Sequence, residues 1–241
     1  MRSLIVVAMV VAGCAARAPS GLTLLPPERP ADAWIASART HLAEGRRLRA
    51  VEGRAAARPA LDAALFDAER ALSAANPLVA EHLLLRHRLR DTFAPLRRPD
   101  LPAAAVWIEA LHAATEARST LHLFEAQEAI TVAAERLVAV DRTAGWAAAD
   151  RTLGQLLSDL PVGNGLDLVA AREHFETALA LAPAYLPTRV LFALHWADRA
   201  READVYRHLL DEVAAAADAP PLAGAERENA AAVETARALA R

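Results

Sequence analysis

The sequence predicts an all-α protein, an α-solenoid of antiparallel helix pairs, and three observations carry that expectation. Much of the 54% apolar fraction is alanine, which loses no side-chain entropy in a helix and lets helices pack closely. Glycine is sparse, 9 residues in all, and Val, Ile and Thr rarely run together, which argues against sheets. Apolar residues recur at helical spacing in successive segments separated by proline-bearing breaks.

The length of 241 residues suits one sizeable domain or two small ones. All 27 basic residues are arginine, and the net charge is −3. That balance offers no electrostatic reason to expect a nucleic-acid partner, since such proteins usually carry a basic excess on one face.

The N-terminus speaks to location. Met1-Arg2-Ser3 supplies a short charged region and Leu4 to Ala12 an apolar one. This is too short to span a bilayer as a mature helix and is built like a secretory signal. It ends in Val11-Ala12-Gly13-Cys14, which resembles the bacterial lipobox, whose cysteine is acylated and becomes the new N-terminus. An ordinary signal peptide with an incidental cysteine is the alternative; Cys14, the only cysteine and at the expected place, favours lipidation. The expected division is a signal peptide over 1–13, a lipidated tether over 14–30 and a helical domain over 31–241. Each buried acyl CH2 contributes about 0.8 kcal/mol, so several chains anchor stably. Ala15 follows the cysteine instead of an inner-membrane-retaining Asp, so the outer membrane, facing the periplasm, is expected in a two-membrane host. Pro19, Pro26, Pro27 and Pro30 mark the tether as extended.

In the domain, Asp32 is expected to cap a first helix carrying Ile35, Ala38 and Leu42. Pro59 is expected to open a second, with Leu61, Leu65, Ala68 and Leu72 on one face, ending at Asn76-Pro77. Leu85, Leu89 and Phe93 share a face of a third, and Arg97-Arg98-Pro99-Asp100 breaks it, with Asp100 able to cap the next. That next helix carries Trp107, Ile108 and Leu111. A boundary at Ser119-Thr120 precedes a helix with Ile130, Ala133, Ala134, Leu137 and Val138.

Between Leu153 and Pro183 a repeat emerges. Ala171, Phe175, Ala178 and Pro183 reproduce the spacing of the second half of a tetratricopeptide (TPR) unit, and Leu153-Gly154-x2-Leu157 the first half. Gly154, Ala171 and Ala178 are where two helices should approach closely, with Phe175 filling the gap to the neighbouring pair. The turn around Pro161 to Gly165 is longer than standard. Elsewhere the repeat is degenerate, and a final helix from Ala225 to Arg241 is expected to cap the stack.

These residues also resemble the T-component of TRAP transporters, a family of periplasmic, lipid-anchored, TPR-like proteins. The likeness rests on Arg151-x-Leu153-Gly154, Leu160-Pro161, Gly163-Asn164-Gly165-Leu166-Asp167, Ala171 to Glu176, Arg207-x-Leu209-Leu210-x-x-Val213 and Glu228-Asn229. It extends from about Trp107 to the C-terminus. The resemblance implies a TPR-like accessory protein of a solute transport system that contacts a periplasmic solute-binding protein. It also implies a trimeric assembly with a central pore and an apolar or organic-acid ligand; the lack of any catalytic constellation in the residues adds the expectation of no enzymatic activity. A TPR scaffold lipoprotein in envelope assembly is the alternative.

Residue chemistry adds little to this. His112 and Glu116, at i and i+4, could touch a metal, though a surface hydrogen-bonding pair is favoured. His82 and His87 sit off a common helical face, no metal site is expected, and no cofactor is implied. Arg86, Arg88 and Arg90, flanked by Glu81 and Asp91, read as a solvated face ahead of an anion site. Gly163 and Gly165 suit a positive-φ turn, with Asn164 between them and Asp167 capping the following helix. Trp107, Trp146 and Trp196 stand as candidate walls of an apolar groove, against ordinary packing. No Ser or Asp has the matched His that nucleophilic catalysis requires.

Overall fold

The computed structural model of the protein describes residues 20–25 and 28–240. The secretory segment and Cys14 lie outside the described residues. Among the described residues the chain forms eleven helices and no strand. They are α1 (Ala31–Val51), α2 (Arg54–Ala75), α3 (Pro77–Leu84), α4 (Leu89–Phe93), α5 (Leu101–Arg118), α6 (Thr120–Asp141), α7 (Ala144–Asp159), α8 (Leu168–Leu181), α9 (residues 187–200), α10 (Ala203–Ala215) and α11 (Glu226–Leu239).

Composition explains the layout. α5 is apolar and alanine-rich on every side, and nearly all of it is buried, from Leu101 through Ile108 to Ala117. A helix hydrophobic all round belongs inside, and α2, α6 and α7 pack around it. α1 and α2 form the closest pair. Gly45 permits that approach, because a Cβ there would lie 2.4 Å from Leu61 Cδ2. One core spans α1, α2, α5 and parts of α4, α6 and α7. A second gathers Phe175, Phe192, Trp196, Leu210, Val213 and Val233 from α8 to α11. Leu123, Ile130, Leu156 and Leu160 make a small third cluster between α6 and α7.

The α7–α8 pair packs closely, at the small residues expected to permit it. Ala171, Phe175 and Ala178 are fully buried. A Cβ on Gly154 would come within 2.8 Å of the Phe175 ring, so only glycine admits that ring so close. Asp167 caps α8, its Oδ1 accepting from the amides of Val169 and Ala170.

Among the described residues the helices close on one another. α11 packs against α1, Arg227 Nη1 donates to Thr40 Oγ1 at 3.1 Å, and Arg39 Nε lies 3.9 Å from Glu228 Oε1. An open solenoid touches only successive units; here the first and last helices among the described residues meet.

Several local expectations are corrected. α2 begins at Arg54 and carries Pro59 inside it, the extra turn anchored by the fully buried Ala57. Pro30, not Asp32, precedes α1, and no side chain caps it. The third helix breaks in two at Arg86, which has φ +55°, so the rings of His82 and His87 stack at 4.4 Å instead of diverging. Asp100 does not cap α5; it accepts from Arg97 N and Asn76 Nδ2. The described part of the tether is not free of the domain: Gly21 N donates to Glu69 Oε2 and Thr23 N to Ser73 Oγ, both on α2.

Candidate functional site

Where the two large cores meet, α1, α5, α9 and α11 enclose a cavity of about 60 Å3. Leu42, Val190, Leu191, Leu194 and Ala232 make its apolar walls, while Arg39, Arg46, Arg49, Glu109, His195 and Glu228 bring charge to it. A space of roughly 10–15 Å3 on this measure admits one water, so the cavity accommodates a small molecule and not a macromolecular segment.

Its floor is a buried ionic network. Arg151, with no solvent exposure, donates from Nε to Glu109 Oε1 at 2.7 Å, and Arg46 Nη2 reaches the same oxygen at 3.3 Å. Burial drives the Glu109 carboxyl toward neutrality, but Arg151 and Arg46 outweigh it and hold its pKa below the ordinary value. Arg151 also donates to the carbonyls of Trp146 at 2.7 Å and Gly145 at 3.0 Å. Those carbonyls belong to a left-handed turn, Gly145, Trp146 and Ala147, with φ of 59°, 55° and 61°. Left-handed backbone costs a non-glycine residue roughly 1–2 kcal/mol, and the Arg151 guanidinium helps hold the turn in place.

Planar groups stack beside this floor. The Trp146 and Tyr185 rings are parallel at 5.0 Å, Arg39 lies 4.6 Å over Trp146, and Arg151 lies 4.5 Å over Tyr185. Burial pushes the Tyr185 hydroxyl up to about 12.

The opposite rim carries a second network. Asp159 at the end of α7 receives His195 Nδ1 at 2.8 Å and lies 3.1 Å from His112 Nε2. Burial raises its carboxyl, yet the two imidazoles more than offset this and leave it well below the usual aspartate range. His195 reaches it from a π-helical stretch of α9, Phe192–Ala197; such widened turns often sit at functional sites. Beside it, Glu116 takes bidentate hydrogen bonds from Arg49 at 3.1 and 2.8 Å and is also bound by Arg54. His112 and Glu116 are therefore buried and face different partners, instead of forming a surface pair.

Of the residues singled out in the sequence, His112 and Glu116 belong to this rim, and Trp146 adjoins the site through Tyr185 and Arg39. Trp107 is buried in the first core against Phe93. Trp196 lies in the second core, its indole N–H donating to Leu168 O at 2.7 Å. Gly163, Asn164 and Gly165 form an exposed turn that does not line the cavity, with φ of +82° and +110° at the two glycines. Arg90 pairs at 3.8 Å with Glu135 on the surface. Among the described residues no group of three or more His, Cys, Asp or Glu is placed to hold a metal, and no helix is long and apolar enough to cross a membrane.

Sequence reasoning did not find Arg46, Tyr185 or His195, because each carries an ordinary helical or loop signal and the site exists only after distant helices meet. Arg151 and Glu228 stood in the resemblance motifs without a role; the structure supplies one. A scan against protein-family models and a search of curated proteins give no match.

Proposed function

We propose that this protein is a lipid-anchored, TPR-like accessory component of a TRAP-type solute transport system, working in the periplasm beside a solute-binding protein and without enzymatic activity of its own. Its anchor is Cys14, in a lipobox at the end of a secretory segment. The observation that carries the reading is the α7–α8 hairpin. Its packing residues follow TPR chemistry at Gly154, Ala171, Phe175 and Ala178, and its connecting turn is the expanded one that resembles the T-component family.

That turn is suited to protein contact. Val162 is 78% exposed, and Gly163 and Gly165 give the loop a conformation that other residues rarely adopt. An apolar side chain held at the tip of a structured turn can dock into a partner's groove at a reduced ordering cost. Val169, in the first turn of α8, is also exposed, at 73%.

The test is calorimetric titration of the protein with the solute-binding protein encoded beside its gene. Val162→Glu is expected to keep the melting temperature, since surface substitutions usually change stability by less than about 0.5 kcal/mol. It should weaken the complex by about tenfold or more. Unchanged affinity in that variant would remove the loop from the interface. A gene neighbourhood devoted to envelope assembly, with no transport genes, would favour a scaffold role instead.

A further inference from the structure

The corner between α3 and α4, outside the site described above, exposes apolar and basic side chains together. Leu84, Leu85, Arg86, His87 and Arg88 form an unbroken exposed run across the break between the two helices. Leu85 is 59% exposed. Leu78, seven residues earlier and so on the same side of α3, is exposed as well. The break is a shaped turn: Arg86 has φ +55°, His87 N donates to His82 O at 2.9 Å, and the two imidazoles stack. Val79 and Leu83 already supply the contact of α3 with the first core, so the outer leucines are not needed for it.

Charge gathers at the same corner. Between Pro77 and Arg98 stand five arginines, at 86, 88, 90, 97 and 98, against Glu81 and Asp91, in a chain whose net charge is −3. All five are exposed. Glu135 of α6 lies 3.8 Å from Arg90, and Arg136 beside it balances that charge while donating to Ala94 O and Leu96 O. The local excess is therefore basic.

We propose that this corner is a bilayer-contact face, its leucines entering the interface of an anionic membrane and its arginines meeting the lipid phosphates. Arginine alone would suit any acidic partner. Exposed leucines set among arginines match a surface that is anionic at its boundary and apolar just beneath, as interfacial helices do.

The docked tether leads to the same part of the fold. Gly21 and Thr23 bond to Glu69 and Ser73 in the last turns of α2, and Asn76 joins α2 directly to α3. Next to Thr23, Leu24 and Leu25 are also exposed. At no more than about 3.6 Å per residue, the chain from Cys14 to Ser20 reaches at most about 22 Å. A lipid on Cys14 therefore brings the bilayer within that distance of this end of the domain. This placement rests on the lipid-anchor reading given above, whereas membrane binding by the corner itself does not.

The test is co-flotation of the full chain carrying Cys14→Ala with vesicles of phosphatidylcholine, alone or mixed in equal parts with phosphatidylglycerol. The mixed vesicles should bind it at least about tenfold more strongly, and binding should weaken as salt is raised. Each basic residue near an anionic surface is worth about fivefold, so Arg86→Gln, Arg88→Gln and Arg90→Gln together should lower partitioning about a hundredfold. Leu84→Ser with Leu85→Ser should lower it about tenfold at unchanged charge. Arg199→Gln, Arg201→Gln and Arg207→Gln together remove the same charge from other exposed positions and should cost far less, with thermal melting reporting that each variant is folded. Equal binding to the two kinds of vesicle, or equal losses from the two arginine triples, would overturn the proposal. So would binding to soluble polyglutamate that matches the mixed vesicles and survives the leucine changes, which would assign the face to an acidic protein. A wild-type protein found wholly soluble on cell fractionation would overturn the placement by Cys14 without touching the vesicle result, so the two failures are separable.

Discussion

Arg151 illustrates what one buried charge does here. It is wholly inside, yet its donors are engaged by Glu109, Trp146 O and Gly145 O, and its plane lies over Tyr185. Replacing it with Met would leave Glu109 with Arg46 alone and strip two carbonyls from a left-handed turn. Breaking a buried ion pair on one side costs about 3–5 kcal/mol, so Arg151→Met should lower the urea midpoint steeply; a midpoint within error of wild type would mean that the network contributes nothing to stability. The tryptophans show the limit of reading single residues. Helical spacing correctly implies that Trp107 and Trp196 lie on apolar faces, but nothing local distinguishes a core face from a cavity wall. Trp146 differs because Gly145 and Ala147 beside it adopt left-handed backbone, a feature that alanine-rich sequence does not announce.

At the level of elements, the helices themselves were legible and some of their ends were not. Ser119 caps α6 through its hydroxyl, accepting from His122 N, and Asp167 caps α8, both as their residue types predict. Ends set by tertiary contact went astray: the first turns of α2 precede Pro59 because Ala57 is buried, and α3 stops short of Leu85 at a left-handed Arg86. The α7–α8 pair offers a direct check. In Gly154→Val the new side chain would start 2.8 Å from the Phe175 ring, and overpacking of this kind costs about 1–3 kcal/mol. Thermal melting should show the loss. Asp167→Ala should cost less, about 1 kcal/mol, through one lost cap.

For the whole molecule, the contact of α1 with α11 could not be foreseen from periodicity, which reports neighbours in sequence and not chain closure. That closure creates the cavity and brings the two large cores together across charged side chains. Buried carboxylates elsewhere should make the fold sensitive to acid. Asp150, fully buried, accepts bidentately from Arg142 and binds His174 Nδ1 at 2.9 Å. Burial raises its pKa, but Arg142 and His174 bring it from 3.8 down to about 2. A depressed folded pKa stabilises above the unfolded value, so this contribution is complete above about pH 4 and fades as pH falls through about 2, amounting to about 2 kcal/mol. Glu109 and Asp159 shift in the same direction. Denaturant midpoints should therefore fall across that window, and Asp150→Asn should flatten the fall; an unchanged slope in the variant would assign the acid sensitivity to other carboxylates.

The central claim, that this chain serves a transport system by contact with a solute-binding protein, is tested most directly by light scattering of the lipid-free Cys14→Ala protein mixed with the binding protein encoded beside it. The account predicts a complex whose mass exceeds either component and which dissociates in Val162→Glu. Two separate, unchanged masses at every concentration would contradict it.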